Sequence, residues 1–433
     1  MLYMCGTDLQ SDCVKDMAEV AAASYGEDVQ VVILAGGAKK WSDKRLTGGE
    51  LNLFSISGGK WSPVLSWGKA SMGKADTLVR FVEYCRSSCP ADREVLILWD
   101  HGSSVVDGLC FDEVYNDDAL TLKEVASAMS TLRSHDSGFH LDIVGADACL
   151  MACYEMAAVL APYADYYVAS EELEPYLGWY YTNWLNDLGS RPSMTDRELA
   201  EAMVDSYKYA CERDDPNDYL TLSVIDLSKL DALTEQVTAM ASILCSAIGQ
   251  GKVSTISRTV QSCYSFGSYD EAGSDMIDMR DLISLVSTFD ADTAAAARAA
   301  LDEAVVRSYA NSYVPSAYGM SIFVPMENSS YLNDFLSDYS VSAVTGYSSF
   351  VSAFAREVSG GSYVFTASGS TPYQMGQSDW EQGDSAGSAY GYSFGNGWND
   401  WSWQDSDWWQ DSSGWSWGYG YGSGYGYNNS QTL

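Results

Sequence analysis

The stretch Leu141-Asp142-Ile143-Val144-Gly145-Ala146-Asp147-Ala148-Cys149-Leu150 decides the fold. Residues 141–144 form a short apolar run bounded by small and acidic residues, which reads as a buried strand running on to Cys149. Residues 150–160 behind it have helical spacing and stop near Pro162. Upstream, Val95-Leu96-Ile97-Leu98-Trp99 is a second strongly apolar strand and leads into Asp100-His101-Gly102. Working outward, strands at 2–5, 29–34 and 166–169 alternate with helical spacing at 12–24, 75–85 and 120–132. Residues 51–56 alternate apolar and polar, as an exposed or edge strand does, and end at Gly58-Gly59. This alternation from 2 to 170 predicts an α/β fold with a mostly parallel central sheet flanked by helices. Helices at 199–209, 230–248 and 294–308 make the C-terminal half helix-rich. A late apolar strand at 320–324, ended by Pro325, can return to the same sheet.

In a parallel sheet the carboxyl ends of the strands share one edge, and functional residues gather there. His101 and Cys149 each stand at such an end. A cysteine nucleophile needs its thiolate, and a histidine within reach can hold the ion pair and later protonate the leaving group. If Cys149 opens a helix, the helix N-terminus lowers its pKa further. Gly102 leaves room for a substrate to meet backbone N–H groups, so the N–H groups of Gly102 and Cys149 are the candidate oxyanion donors. The competing reading is a core cysteine and a turn histidine. Asp147 lies two residues before Cys149, and in extended chain such residues share a side. Its carboxylate reads equally as an acid for a basic substrate side chain and as a helix N-cap.

Composition narrows the function classes. The 433 residues carry 59 acids against 24 basic residues, a formal net charge of -35. That balance excludes a nucleic-acid partner, which needs a basic patch. No apolar run is long enough to read as a membrane span. No signal peptide is visible at the start, which reads as a cytoplasmic, a processed or a truncated start. No Lys or Arg follows Arg356. Residues 359–433 hold 8 of the 14 Trp, 8 of the 30 Tyr and 15 of the 37 Gly. That composition builds no packed core and reads as a disordered tail. Its aromatics can also stack on glycans or self-associate, which gives a rival reading of the whole chain as a non-catalytic surface-binding or assembly protein. The ten Cys lack zinc-ligand spacing and read mostly as small buried hydrophobes. The acids Asp112, Glu113, Asp117 and Asp118 are calcium candidates by ligand type, but they lack EF-hand spacing and read rather as a solvated loop. His135 and His140 read as structural.

Taken together, these segments resemble the clostripain family of cysteine peptidases, which share a caspase-like fold. The resemblance rests on Tyr3-Met4-Cys5-Gly6-Thr7-Asp8-Leu9, Gly36-Gly37-Ala38-Lys39-Lys40-Trp41, Trp99-Asp100-His101-Gly102 and Gly145-Ala146-Asp147-Ala148-Cys149-Leu150-Met151. Ala169-Ser170-Glu171-Glu172, Glu174-Pro175, Gly178-Trp179, Leu222-Ser223-Val224-Ile225-Asp226 and Gly319-Met320-Ser321-Ile322 follow in order. The 48 residues from His101 to Cys149 are close to the caspase spacing of about 50. The resemblance implies a catalytic core at 1–190, a helix-rich part of the same unit at 191–358 and an appended tail at 359–433. It implies a dyad of His101 and Cys149, peptide or protein substrates cut after Arg or Lys, and Asp147 as the acid that recognises the basic side chain. Ala169, Ser170 and Trp179 are implied to line the same pocket. No cofactor is required by it, although some members use calcium, and export to the cell surface or beyond is usual. Many members are cut between His and Cys at a basic residue. Here that interval offers only Lys123 and Arg133, both on a predicted helix.

Overall fold

The apolar runs become strands β1 (Leu2–Cys5), β2 (Val31–Gly36), β3 (Leu51–Ser57), β4 (Lys60–Gly68), β5 (Val95–Trp99), β6 (Leu109–Asp112) and β7 (Asp118–Leu120). They continue as β8 (Leu141–Asp147), β9 (Ala164–Ala169), β10 (Thr221–Asp226), β11 (Met276–Asp278), β12 (Val305–Ala310) and β13 (Ser321–Phe323). The helices are α1 (Gln10–Ala22), α2 (Ala75–Ser88), α3 (Ser104–Asp107), α4 (Leu122–His135), α5 (Tyr154–Leu160) and α6 (Tyr181–Ser190). Then come α7 (Asp196–Asp214), α8 (Leu230–Gly249), α9 (Val253–Val260), α10 (Met279–Ser287), α11 (Ala291–Ala304) and α12 (Thr345–Val358). The structure is a computed structural model, and it describes residues 1–214, 218–267, 275–325, 339 and 341–358. These lie in the unit Met1–Asp379; the unit Trp380–Leu433, and with it the whole tail read at 359–433, is outside the described residues.

Nine strands form one sheet in the order β12-β10-β9-β8-β5-β1-β2-β3-β4. The inner strands β2, β1, β5, β8 and β9 are parallel to one another. Only β3 and β10 run against them, and β4 and β12 turn back again. Side chains alternate between two cores, as the two-residue period of a strand requires. Leu2, Met4, Ile33, Ile97, Trp99 and Ile143 pack on one face with residues of α1, α6 and α7. Tyr3, Cys5, Leu34, Leu96, Leu98, Val144 and Ala146 pack on the other with residues of α2, α4, α5 and the C-terminal helices. A strand buried on both faces must be apolar throughout, which is why these runs read so clearly.

Three of these readings need correction. The 51–56 strand is not the edge, because the two-residue Gly58-Gly59 turn folds β4 back onto it. β4 is the edge, and its mostly exposed face, Pro63 and Lys60 suit that place. The helix expected to 308 ends at Ala304, where β-branched Val305 and Val306 begin β12. The late strand does not rejoin the main sheet: β10 and β12 already occupy that side, and β13 pairs with β11 instead. Finally, Leu227–Gly249 is long and apolar enough to cross a membrane by length and composition, with mean hydropathy 1.2. Here one face of that segment, including Leu233, Val237, Met240 and Leu244, is buried in the core with α11 and α12.

Gly145 of β8 shows how closely the sheet is covered. A Cβ there would stand 2.9 Å from Trp179 Cη2, 3.0 Å from its Cζ3 and 3.3 Å from Ile97 Cγ1. Overpacking of this kind costs about 1–3 kcal/mol. Gly145→Ala should lower the unfolding free energy by that amount, seen as a lower urea midpoint at unchanged m-value, and an unchanged midpoint would show that the indole yields freely.

Candidate active site

β5 and β8 pair with Trp99 opposite Asp147. The pairing continues one step further, where the Asp100 N–H donates to the Asp147 carbonyl at 3.3 Å. His101 and Cys149 each lie two residues beyond that register, so the sheet itself brings them level at its carboxyl edge. Gly102 lies flat against the backbone of Cys149. A Cβ on it would sit 2.2 Å from the Cys149 carbonyl oxygen and 3.1 Å from its nitrogen, so no side chain fits. Past Cys149 the chain reverses at Leu150, whose φ is +64°. The Leu150 N–H donates to Glu172 O (3.1 Å) and the Ala152 N–H to Ser170 O (2.7 Å). Thr7 (φ +39°) and Ser104 (φ +57°) are similarly left-handed just beyond β1 and β5. Each such residue costs about 1–2 kcal/mol, and strain of this kind concentrates at functional sites.

The expected helix start is corrected. α5 begins only at Tyr154, with Cys153 in the N-cap position. Cys149 therefore does not open a helix, and Asp147 does not cap one. The donor aimed at the thiol is instead the Glu174 N–H, 3.2 Å from Sγ. Burial pushes the Cys149 thiol up to about 12; that N–H works against the shift, while the charges of Glu174 and Glu172 add to it.

His101 Nε2 lies 2.8 Å from Asp8 Oδ1. Burial lowers the imidazole pKa, but the hydrogen bond to Asp8 and the charges of Asp100, Asp8 and Asp117 outweigh it, so the net shift is upward. Behind it, Asp100 accepts the Thr7 hydroxyl at 2.8 Å and the Phe111 N–H at 2.6 Å. Burial pushes the Asp100 carboxyl up to about 7. Burial thus favours the protonated form of the Cys149 thiol, while the acids around His101 make its imidazole more basic.

Asp147 is buried on the α1/α6 face of the sheet, 5% exposed. Its Oδ2 accepts the Tyr181 hydroxyl at 2.6 Å. Burial pushes its carboxyl up to about 6, against hydrogen bonds from Tyr181, Glu174 and the Trp179 N–H. Glu174 is pushed up strongly by burial and by the Asp147 charge. The remaining pocket candidates sit further back. Trp179 is fully buried, and its indole N–H donates to Glu174 Oε2 at 3.0 Å. Ser170 is spent on the Glu172 carbonyl (2.9 Å) and the Thr221 hydroxyl (2.7 Å). Ala169 is buried in β9 opposite Ser223. All three hold the loop that carries Glu174.

The acids considered for calcium have other partners. Asp112 accepts the Met72 and Val114 N–H groups (2.8 and 2.9 Å), and Glu113 accepts the Lys39 N–H at 2.6 Å. Asp118 takes the Ser71 hydroxyl at 2.6 Å and Lys74 Nζ at 2.5 Å. Asp117, left-handed at φ +57°, faces His101 electrostatically. Among the described residues the acids whose oxygens do converge are Asp142, Asp165 and Asp196, far from this loop in sequence. All ten cysteines are free thiols. Reasoning from sequence missed the roles of Asp8, Asp16 and Tyr181. Asp8 was in view within the Thr7-Asp8-Leu9 segment, but nothing in its spacing ties it to a residue 93 positions away.

The profile of the clostripain family matches residues 2–357. The chain belongs to that family of cysteine peptidases. Clostripain of Hathewaya histolytica is 24% identical over 316 residues, covering 61% of this chain and 59% of that protein. The match thus spans about three-fifths of that relative's length. A secreted C11 cysteine protease from Bacteroides thetaiotaomicron, solved with an irreversible peptide inhibitor, superposes with a TM-score of 0.63 at 16% identity. That match covers 80% of this chain and 97% of the other. An inactive zymogen C11 protease from Parabacteroides distasonis gives 0.58 at 17% identity, covering 80% and 96%. At these identities the likeness establishes the shared fold.

A buried neutral thiol has a measurable signature. Neutral iodoacetamide should alkylate Cys149 of the free protein faster with each rise in pH beyond about 9, followed by peptide mass spectrometry. A plateau reached below about pH 7 would reveal a preformed thiolate instead.

Proposed function

We propose that the protein is a cysteine endopeptidase cleaving peptide bonds after Arg, and after Lys. The observation that carries this reading is the buried carboxyl of Asp147, two residues before Cys149 on the strand that sets Cys149 level with His101. A basic side chain reaching Asp147 and Glu174 lays its own carbonyl carbon beside Sγ. It also neutralises the acids that hold the thiol proton in place, so the proton passes to His101 as Sγ attacks. The tetrahedral oxyanion is held by the N–H groups of Gly102 and Cys149. His101, as imidazolium oriented by Asp8, protonates the leaving amine, and the C–N bond breaks to give the acyl-enzyme. The now neutral His101 takes a proton from water, hydroxide adds to the thioester, and the acid is released with the thiol restored.

Self-cleavage between His101 and Cys149 is not expected. Lys123 is in the first turn of α4, and Arg133 is pinned by hydrogen bonds to Phe139 O (2.9 Å) and Pro162 O (2.8 Å). The active protein should remain one chain across that interval, and an intact-mass spectrum that shows a cut there would overturn this.

Cys149→Ala should abolish turnover of an Arg-peptide reporter; retained activity would sink the proposal. Asp147→Asn should lower kcat/KM for Arg and Lys reporters by about two orders of magnitude, the loss expected when one partner of a buried charge pair is removed. Equal losses on basic and neutral reporters would take Asp147 out of the pocket.

A further inference from the structure

One buried carboxyl on the same face is left unused by the reaction. Asp16 of α1 is 3% exposed, and its Oδ2 accepts the Trp99 indole N–H at 2.7 Å. Asp16 and Asp147 converge on one place. The point where a Cβ of Gly178 would stand is 3.4 Å from Asp16 Oδ2, and 3.3 and 3.6 Å from the two oxygens of Asp147. Gly178, at φ +54°, leaves that point free of side-chain atoms. A single neutral indole N–H does not offset the cost of burying a carboxylate, which is several kcal/mol. Among the described residues no Lys or Arg forms an ion pair with Asp16, Asp147 or Glu174. The groups around Asp16 are of one sign or neutral: Asp12, Cys13 and Glu19 on α1, Trp99 of β5, Asp147 of β8 and Tyr181 of α6. Two cations touch this network through other acids: Lys15 pairs with Asp12 at 2.6 Å, and Arg213 acts on Glu19.

We propose that Asp16 is a second specificity-determining acid of the basic-side-chain pocket, and that a guanidinium or ammonium group enters in exchange for a proton released to solvent. This rests on reading Asp147 as the acid that receives the substrate's basic side chain. Several carboxyls in one dry place cannot all be ionised without a cation. Burial and the neighbouring charges of Asp147 and Glu19 push Asp16 strongly upward, so the empty pocket holds the proton. The arriving cation takes over its role. Cation binding favours the deprotonated acids, so affinity rises with pH through their titration and levels off above it.

The test uses the full chain with Cys149→Ala, so that nothing turns over, and agmatine as the probe of the pocket alone. Titration calorimetry in two buffers of different ionisation enthalpy, near pH 6.5, should show release of about one proton per agmatine. Asp16→Asn in the same background keeps an acceptor for the Trp99 indole and removes the charge. It should lose most of the proton release and flatten the rise of affinity with pH. Trp99→Phe removes the hydrogen bond, keeps the carboxyl and should retain the proton release. Agmatine binding with no proton release, or with the same release in Asp16→Asn, would overturn the role of Asp16 and leave Asp147 as the acceptor. Failure of the parent protein to bind agmatine would overturn the pocket assignment, and this inference with it.

Discussion

The parallel pairing of β5 with β8, with Trp99 opposite Asp147, is the constraint on which the rest of the site depends. It fixes three things together. It sets His101 and Cys149 level past the end of the sheet. It aims Asp147 at the face covered by α1 and α6, because side chains alternate along the strand and Ile143 already points there. It also brings Gly102 so close to the Cys149 backbone that only hydrogen fits between them. A slip of one residue would turn Asp147 to the other core and leave a carboxylate among Ala146, Val144 and α5. Packing prevents that slip, since both faces of both strands are buried.

The order in which the site is assembled follows from burial. The loop after β9 is tied down by Ser170, Glu172 and Thr221, and it delivers the Glu174 N–H to the thiol and the Glu174 carboxyl to Asp147. Cys149 and Asp147 are therefore linked through one residue, Glu174. A charge placed on the acids is felt at the sulfur, because the medium between them is dry and weakly screened. In the proposed reading, a basic side chain that reaches these acids couples substrate recognition to thiol activation in a single electrostatic event.

Much of the fold was legible because buried parallel strands are nearly continuous apolar runs. Leu96–Trp99 and Ile143–Val144 could hardly be anything else, and their shared edge followed from α/β topology. The failures have one physical source, competition between local patterns. The Ala-rich spacing of α11 runs into Val305-Val306 without a breaker, so the change to β12 is set by sheet pairing and left no sign in the spacing. The apolar run after Leu150 suggested a helix at once, but a reversal at Leu150 and hydrogen bonds to Glu172 and Ser170 keep residues 150–153 out of the helix. Asp147 was visible by its spacing from Cys149. Asp8 and Asp16 were not, because their partners lie 93 and 83 residues away and sequence spacing carries no record of such contacts.

The acidic balance of the chain acts on two scales that should be kept apart. Without the tail the charge is still -28, and this draws cations toward the surface. Salt screens that pull beyond about 8 Å at physiological strength, and it favours any basic peptide, or a lone metal ion, equally. The buried acids behind Cys149 are different. They are dry and oriented by Tyr181, Trp99 and Trp179. Under the proposed specificity, selection between Arg and a neutral residue of similar size comes from these acids, because there a missing charge leaves carboxyls to be reprotonated or left unpaired. On the proposed reading, surface charge sets how often a basic peptide arrives, and the carboxyls around Gly178 set whether it stays.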